Sequence, residues 1–341
     1  MKKWNRKRSI IVCLATVFVL LAGLFVWKYV RNEEVVPEYV FYYADNQPED
    51  YPTTLGGKYF AELVEEKTDG RIRILVRPGG ELGTETEVLK QLKYGGIDFT
   101  RVSSLTAAEH LPELNVLSAP YLYTDSEHMW SILDGELGDR FLEMTEDEEL
   151  IGLSWYDAGV RNFYSTGKPI TCLEDMEGMR IRVQESEMMA DTIEALGAEA
   201  VQLDYEKIYS AFERGHIDAA ENNWPSYNSM QHYEVAKYYS IDEHTRVPEL
   251  QLCSAHTWKV LSEEDRQIIL ECAKESALYE RQLWVEYEET ARTNALAHGT
   301  EVTLLSAEEK RKFREAVQPI YEKYCGDYMD IIEQIIESGK Q

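Results

Sequence analysis

The stretch LKYGGIDFT (residues 92–100) has an echo in FERGHIDAA (residues 212–220): a helix end, a glycine, then Ile-Asp opening a strand. Glycine suits the left-handed residue that ends a helix before a short loop. Upstream of each copy stands a related strand, GRIRILV (70–76) and GMRIRVQ (178–184), and the second copy contains an additional strand candidate, AEAVQL (198–203). Loops of this kind recur in α/β proteins generally. Two copies in the same order nevertheless predict two lobes built alike.

Around the first copy, EYVFYYADN (38–46) is aromatic, β-branched and bounded by Asn and Pro, the pattern of a strand. Tyr59, Phe60, Leu63 and Val64 mark a helix that stops at Gly70, and ETEVLKQLKYGG (85–96) marks another. This alternation predicts α/β architecture with parallel strands. The C-terminal third is mostly helical. Ser262 and Asp265 form a capping box for an amphipathic helix reaching about Ala297, read as a brace between lobes. Ser306 and Glu309 begin another helix, which Pro319 interrupts.

The chain carries 62 acidic against 35 basic residues, a net charge of -27. With no basic stripe to release phosphate counterions, nucleic acid is excluded as a partner. The N-terminus differs: MKKWNRKRS is basic, and IIVCLATVFVLLAGLFVW (10–27) has no charge. A basic region before an apolar run is an export signal, and this run is long enough to span a bilayer. It lacks a clear A-x-A cleavage site, so residues 1–31 read as a retained signal-anchor, with a removed signal peptide as the alternative. Its basic residues hold the N-terminus in the cytoplasm and place the rest outside. The exported cysteines, Cys172, Cys253, Cys272 and Cys325, are too irregularly spaced to assign disulfides.

No GxSxG, HExxH, Walker A or GxGxxG motif occurs, and the seven histidines show no metal-ligand spacing. No enzyme, metal or cofactor is predicted. PGGELG (78–83) reads as a tight turn. The chemistry concentrates in GMRIRVQES (178–186), where Met179, Ile181 and Val183 share one face of a strand and Arg180 and Arg182 the other. Arg182 lies nearer the C-terminal end, where α/β sheets bind ligands. It either grips a carboxylate with two parallel hydrogen bonds or pairs with a neighbouring acid at a sheet rim. Arg161 in AGVRNFYST, and Asn222 with Trp224 in AENNWPSYN, add charge, an orienting amide and an aromatic wall.

Taken in order, EEKTDGRIRI, GELGTETEVLKQLKYGGIDFT, APYLY, YDAGVRNFY, LEDMEGMRIRVQES, GHIDAAENNWPSY and HYEVAKYYSIDEHTRVPE resemble the DctP family of solute-binding proteins of TRAP (tripartite ATP-independent periplasmic) transporters. The likeness runs from about residue 38 to 335. It implies a two-lobed periplasmic-binding-protein-like fold of type II that closes on ligand about a hinge. Lobe I would comprise 37–158 plus about 248–288, and lobe II 159–247 plus about 289–336.

The family's carboxylate-clamping arginine falls on Arg182, its second arginine on Arg161 and its asparagine on Asn222, in a motif that reads DAAEN with Ala219 in place of glycine. Glu85, Tyr121, Glu185 and Trp224 occupy other pocket positions. Ser103 stands where sialic acid binders carry Glu, which makes sialic acid a poor candidate. The RVQES form resembles receptors for sugar acids such as hexuronates or aldonates, with C4-dicarboxylates second. The implied partners are a small organic acid and the small and large membrane subunits of a permease. The implied location is extracytoplasmic, anchored to the cytoplasmic membrane. A sensor that presents ligand to a signalling protein is the alternative.

Overall fold

In the computed structural model, which describes residues 36–340, the two echoing phrases end two helices in the same way. Gly95 and Gly215 have φ of +73° and +64°. The N–H groups of Gly96 and His216 reach back to the carbonyls of Gln91 and Ala211 at 2.8 and 2.9 Å, closing the helix ends as Schellman motifs. The Ile-Asp pair then has a job in each copy. Ile97 and Ile217 are buried, while the carboxylates of Asp98 and Asp218 accept the N–H groups of Tyr42 and Arg180 at 2.8 and 3.0 Å. Each aspartate thereby ties its own strand to the neighbouring parallel strand.

Two sheets result. The first has the order β2-β1-β3-β10-β4, with β1 Tyr39–Ala44, β2 Ile72–Arg77, β3 Phe99–Ser103, β4 Leu150–Tyr156 and β10 Glu249–Ser254. The second has the order β11-β9-β5-β8-β6-β7, with β5 Val160–Ser165, β6 Arg180–Val183, β7 Glu199–Gln202, β8 Ala219–Asn222, β9 Tyr238–Arg246 and β11 Glu301–Leu304.

The register corrects the expected matching of strands. Tyr43 of β1 lies opposite Phe99 and Val76, as Ile181 of β6 lies opposite Ala219 and Ala200. GMRIRVQ is therefore the counterpart of EYVFYYADN, and AEAVQL is the counterpart of GRIRILV rather than an extra strand. The similar letters of GRIRILV and GMRIRVQ reflect only a glycine followed by an alternating strand. The sheets are also mixed: β10 runs antiparallel to β3 and β4, and β5 runs antiparallel to β8 and β9.

These antiparallel strands are where the chain changes lobes. Asp157, Ala158 and Gly159 link β4 to β5, and Val247 and Pro248 link β9 to β10. The helix Glu263–Ala297 spans both lobes. Its Ile269, Cys272 and Ala273 pack with Phe60 and Val64 of the first lobe, and its Ala291 and Ala295 with Tyr164 and Tyr239 of the second. Between them Trp284 packs with Tyr51 and Ala158 at the crossing. The Ser262 hydroxyl caps this helix by accepting the Asp265 N–H at 3.1 Å.

The C-terminal helical tail, expected with the second lobe, divides its apolar side chains. Phe313, Val317 and Ile320 join the second-lobe cluster, while Tyr321, Cys325, Ile331, Ile332 and Ile335 join a first-lobe cluster. The four cysteines 172, 253, 272 and 325 are free thiols. The expected anchor, residues 1–31, lies outside the described residues. Among the described residues no helix is long and apolar enough to cross a membrane.

Gly159 shows how tightly the first crossing is packed. Its φ is +61°, and a Cβ there would lie 2.9 Å from Trp284 Nε1 and 3.0 Å from Glu288 Oε1. Gly159→Ala is expected to destabilise the protein by about 2–4 kcal/mol, combining left-handed backbone strain with overpacking. Urea unfolding at constant m-value measures this. A change under about 0.5 kcal/mol, the range of an ordinary surface substitution, would mean the crossing yields freely.

Candidate functional site

The C-terminal ends of β1, β3, β6 and β8 face one cleft between the lobes, containing about 580 Å³ of space counted to its mouth. Such crevices are where α/β sheets bind ligands. Of the expected residues, Arg182, Arg161, Asn222, Glu85, Glu185 and Ser103 line it.

Alternation along β6 separates its two arginines. Ile181 and Val183 enter the second-lobe core. Arg180 makes two bonds to Asp218, at 2.8 and 2.9 Å, near the surface. Arg182 is 2% exposed, and its only hydrogen bond among the described residues runs from Nε to the Leu203 carbonyl at 2.8 Å. No described carboxylate forms an ion pair with it. Burial lowers its pKa, which the neighbouring Glu221 only partly offsets. A buried guanidinium whose terminal amines lack partners is an anion site in waiting.

Arg161 is different, because the protein already neutralises it. Its Nε and Nη2 grip the carboxylate of Glu221, and Nη2 also donates to the Glu221 carbonyl at 3.0 Å. Nη1 makes no hydrogen bond among the described residues. Beyond Glu221, His244 lies between two acids, with Nδ1 2.9 Å from Asp242 Oδ2 and Nε2 3.4 Å from Glu221 Oε2. Burial opposes the charged forms, but Arg161 and His244 hold Glu221 down to about 2. Likewise Asp242 and Glu221 raise His244 to about 9 against its burial. Asn222 accepts the Asn223 N–H through Oδ1 at 2.9 Å, and its amide N–H groups make no hydrogen bond among the described residues.

On the first-lobe wall stands a residue the sequence reading did not single out. Arg101 occupies the β3 position equivalent to Glu221 in β8, counted from the paired aspartates 98 and 218. It is 1% exposed and surrounded by the carboxylates of Asp45, Glu85 and Glu249, with Asn46 Oδ1 at 2.6 Å. Burial and the neighbouring Glu85 and Asp45 push the Glu249 carboxyl up to about 8, against the pull of Arg101. The phrase IDFTR carried the signal, since Arg101 sits at the ligand end of its strand.

Several polar ties cross the cleft. The Thr86 hydroxyl donates to Glu185 at 2.5 Å, and Gln184 Nε2 donates to the Ser103 hydroxyl at 2.8 Å. The Glu187 N–H donates to Glu109 at 3.0 Å, and Tyr51 and Ser226 share a hydroxyl bond of 2.9 Å. Two expected residues stand elsewhere. Trp224 stacks on Tyr239 with centroids 3.6 Å apart, inside a second-lobe aromatic cluster. Tyr121 turns its hydroxyl to Asp242 at 3.2 Å, behind the cleft. Both rings are better desolvated by packing than by lining a polar cavity.

The family model of bacterial extracellular solute-binding protein, family 7 (DctP) matches residues 43–327. A TRAP periplasmic solute-binding protein from Bradyrhizobium, solved with α/β-D-galacturonate, is 37% identical with a TM-score of 0.85, covering 87% of this chain and 99% of that one. A counterpart from Chromohalobacter salexigens, solved with D-glucuronate, is 33% identical with a TM-score of 0.84, covering 87% and 99%. A C4-dicarboxylate-binding protein of Bacillus subtilis is 27% identical over 98% of this chain and 99% of its own length. The matched family is one of receptors, not enzymes. The chain therefore belongs to the extracellular solute-binding proteins of family 7, the solute receptors of TRAP transporters.

Proposed function

We propose that this receptor captures a sugar acid of the hexuronate type, closes on it and delivers it to the membrane subunits of a TRAP permease. Arg182 clamps the carboxylate, Arg161 offers Nη1 as a second cationic contact, and Asn222 orients the bound acid. The observation that carries this reading is the charge state of the cleft. Arg182 alone among the cleft arginines lacks a carboxylate partner, whereas Arg161 and Arg101 are already paired. One open cation fits one carboxylate. The rest of the lining includes the carboxylates of Glu85, Glu185 and Asp204, which repel a second carboxylate but accept hydrogen bonds from hydroxyls. That asymmetry favours a sugar acid over a C4-dicarboxylate, and the hexuronates held by the similar solved receptors support the same choice. The apolar run at residues 10–27 would keep the receptor tethered to the cytoplasmic membrane.

A thermal-shift series tests the ligand class. D-glucuronate and D-galacturonate are expected to stabilise the protein, by about 2.7 kcal/mol at a hundred times Kd. Succinate and malate are expected to leave Tm unchanged at the same concentration. Stabilisation by the dicarboxylates alone would reverse the assignment.

A further inference from the structure

Three buried polar side chains of the first-lobe wall carry an atom unpaired among the described residues: Gln47, Glu249 and Arg101, whose Nε faces Glu249. Gln47 and Glu249 both line the cleft, at 7% and 9% exposure, and among the described residues neither Gln47 Oε1 nor Glu249 Oε2 has a hydrogen-bond partner. Their backbones are fixed. The Gln47 N–H donates to Asp45 Oδ1 at 2.8 Å, and its carbonyl accepts the Gly79 N–H at 2.8 Å and the Thr54 hydroxyl at 3.3 Å. Glu249 opens β10, directly after the crossing at Pro248. Its Oε1 accepts Arg101 Nη1 at 3.3 Å, while Oε2 lies 3.3 Å from Arg101 Nε outside hydrogen-bonding geometry.

An unpaired buried polar atom is costly, so the chemistry of the missing partner can be narrowed. A carboxylate would meet three acids that already share the Arg101 charge. An alkyl group would seal both atoms from water. A hydroxyl both donates and accepts; it can satisfy the Gln47 amide, and it can satisfy Glu249 whether that carboxyl is ionised or protonated. We infer that Gln47 and Glu249 are specificity-determining residues that read ring hydroxyls of the ligand from the lobe facing the carboxylate clamp. This rests on the sugar-acid reading above and adds which residues recognise the sugar.

The test compares D-glucuronate with tetrahydropyran-2-carboxylate, which keeps the ring and the carboxylate but lacks the hydroxyls. Binding is measured by calorimetry, with displacement titration for weak cases. Wild type is expected to prefer glucuronate by about 1000-fold or more, because a site built for hydroxyls rejects the analogue without them. Gln47→Leu and Glu249→Leu should each weaken glucuronate about 10- to 100-fold while changing the analogue by less than about 2-fold, as expected for loss of hydrogen bonds made only to hydroxyls. Glu249→Gln, which keeps a donor and an acceptor, should recover most of the lost affinity. If Glu249→Leu does not fold, the Gln47→Leu comparison decides the matter alone. Variants that leave glucuronate unchanged, or weaken both acids equally, would overturn the inference while the sugar-acid reading stands. Wild type that binds neither acid would overturn both.

Discussion

Arg182→Ala is expected to abolish sugar-acid binding while leaving the unliganded protein as stable as wild type or more so. The two halves of this result have the same cause. In the clamp proposed above, bound ligand would gain a charge-assisted, two-pronged hydrogen bond in a desolvated cleft, and truncating one partner of such a pair costs about 2–5 kcal/mol or more. That is a loss of roughly 30- to 4000-fold in affinity. Without ligand the same guanidinium is a buried charge held by one carbonyl, so removing it relieves a desolvation penalty. Calorimetry with glucuronate measures the first half, and the Tm of the ligand-free protein measures the second. Arg182→Lys should recover little binding, because an ammonium cannot reproduce the planar fork. Retained affinity in the alanine variant would remove the clamp from the mechanism.

Glu221→Gln should produce the opposite signature, a large loss of stability whether or not ligand is present. Glu221 is the shared acid of Arg161 and His244, all three buried. Neutralising it leaves Arg161 without a described counter-charge and His244 with Asp242 alone. Removing one member of a buried ion network costs about 3–5 kcal/mol, a fall in Tm on the order of 10 °C. The pH dependence gives a second readout. Glu221 is depressed to about 2 from an ordinary 4.5, so its contribution is full above pH 4.5 and fades as pH falls toward 2. His244 is raised to about 9 from 6.5, so its contribution is full below pH 6.5 and is lost as pH rises through 9. The stability gap between wild type and variant should therefore be widest between about pH 4.5 and 6.5, and should narrow on both sides. Denaturant unfolding at several pH values would show it. A gap independent of pH would indicate that the side chain acts through shape rather than charge.

Both predictions concern residues that were visible in the sequence to different degrees. The alternation in GMRIRVQES separated the arginines from the core-facing residues, and left open whether Arg182 met an internal acid. Only folded coordinates could answer that, because the acids that might have met it come from distant segments. Arg101 shows the same limit. Asp45, Glu85 and Glu249 approach it from sequence separations of 56, 16 and 148 residues, which no local pattern reveals. Glu221, by contrast, stood within the DAAEN phrase beside Asn222, and its attachment to Arg161 follows from the antiparallel pairing of β5 with β8, a direction the strand-helix alternation had not suggested. Trp224 and Tyr121 were misplaced because aromatic residues near a ligand-end motif serve core packing as readily as a cavity wall. The repeat was legible in its helix ends and aspartates, where backbone chemistry constrains the letters, and misleading in its strands, where alternation alone does.

The polar ties across the cleft bear on how such a receptor can be tuned. None requires ligand, and each is the kind of neutral or charge-assisted bond that contributes about 0.5–3 kcal/mol. In the closing cycle proposed above, they would set the fraction of empty molecules already shut, and measured affinity scales with that fraction at unchanged intrinsic contacts. Weakening the Glu187–Glu109 tie, whose two members do not line the cleft, would tilt the resting balance toward gaping molecules and slacken retention of every solute alike, without touching the choice among them. Retention strength and solute choice are in this way written on separate residues, so either can drift without carrying the other along.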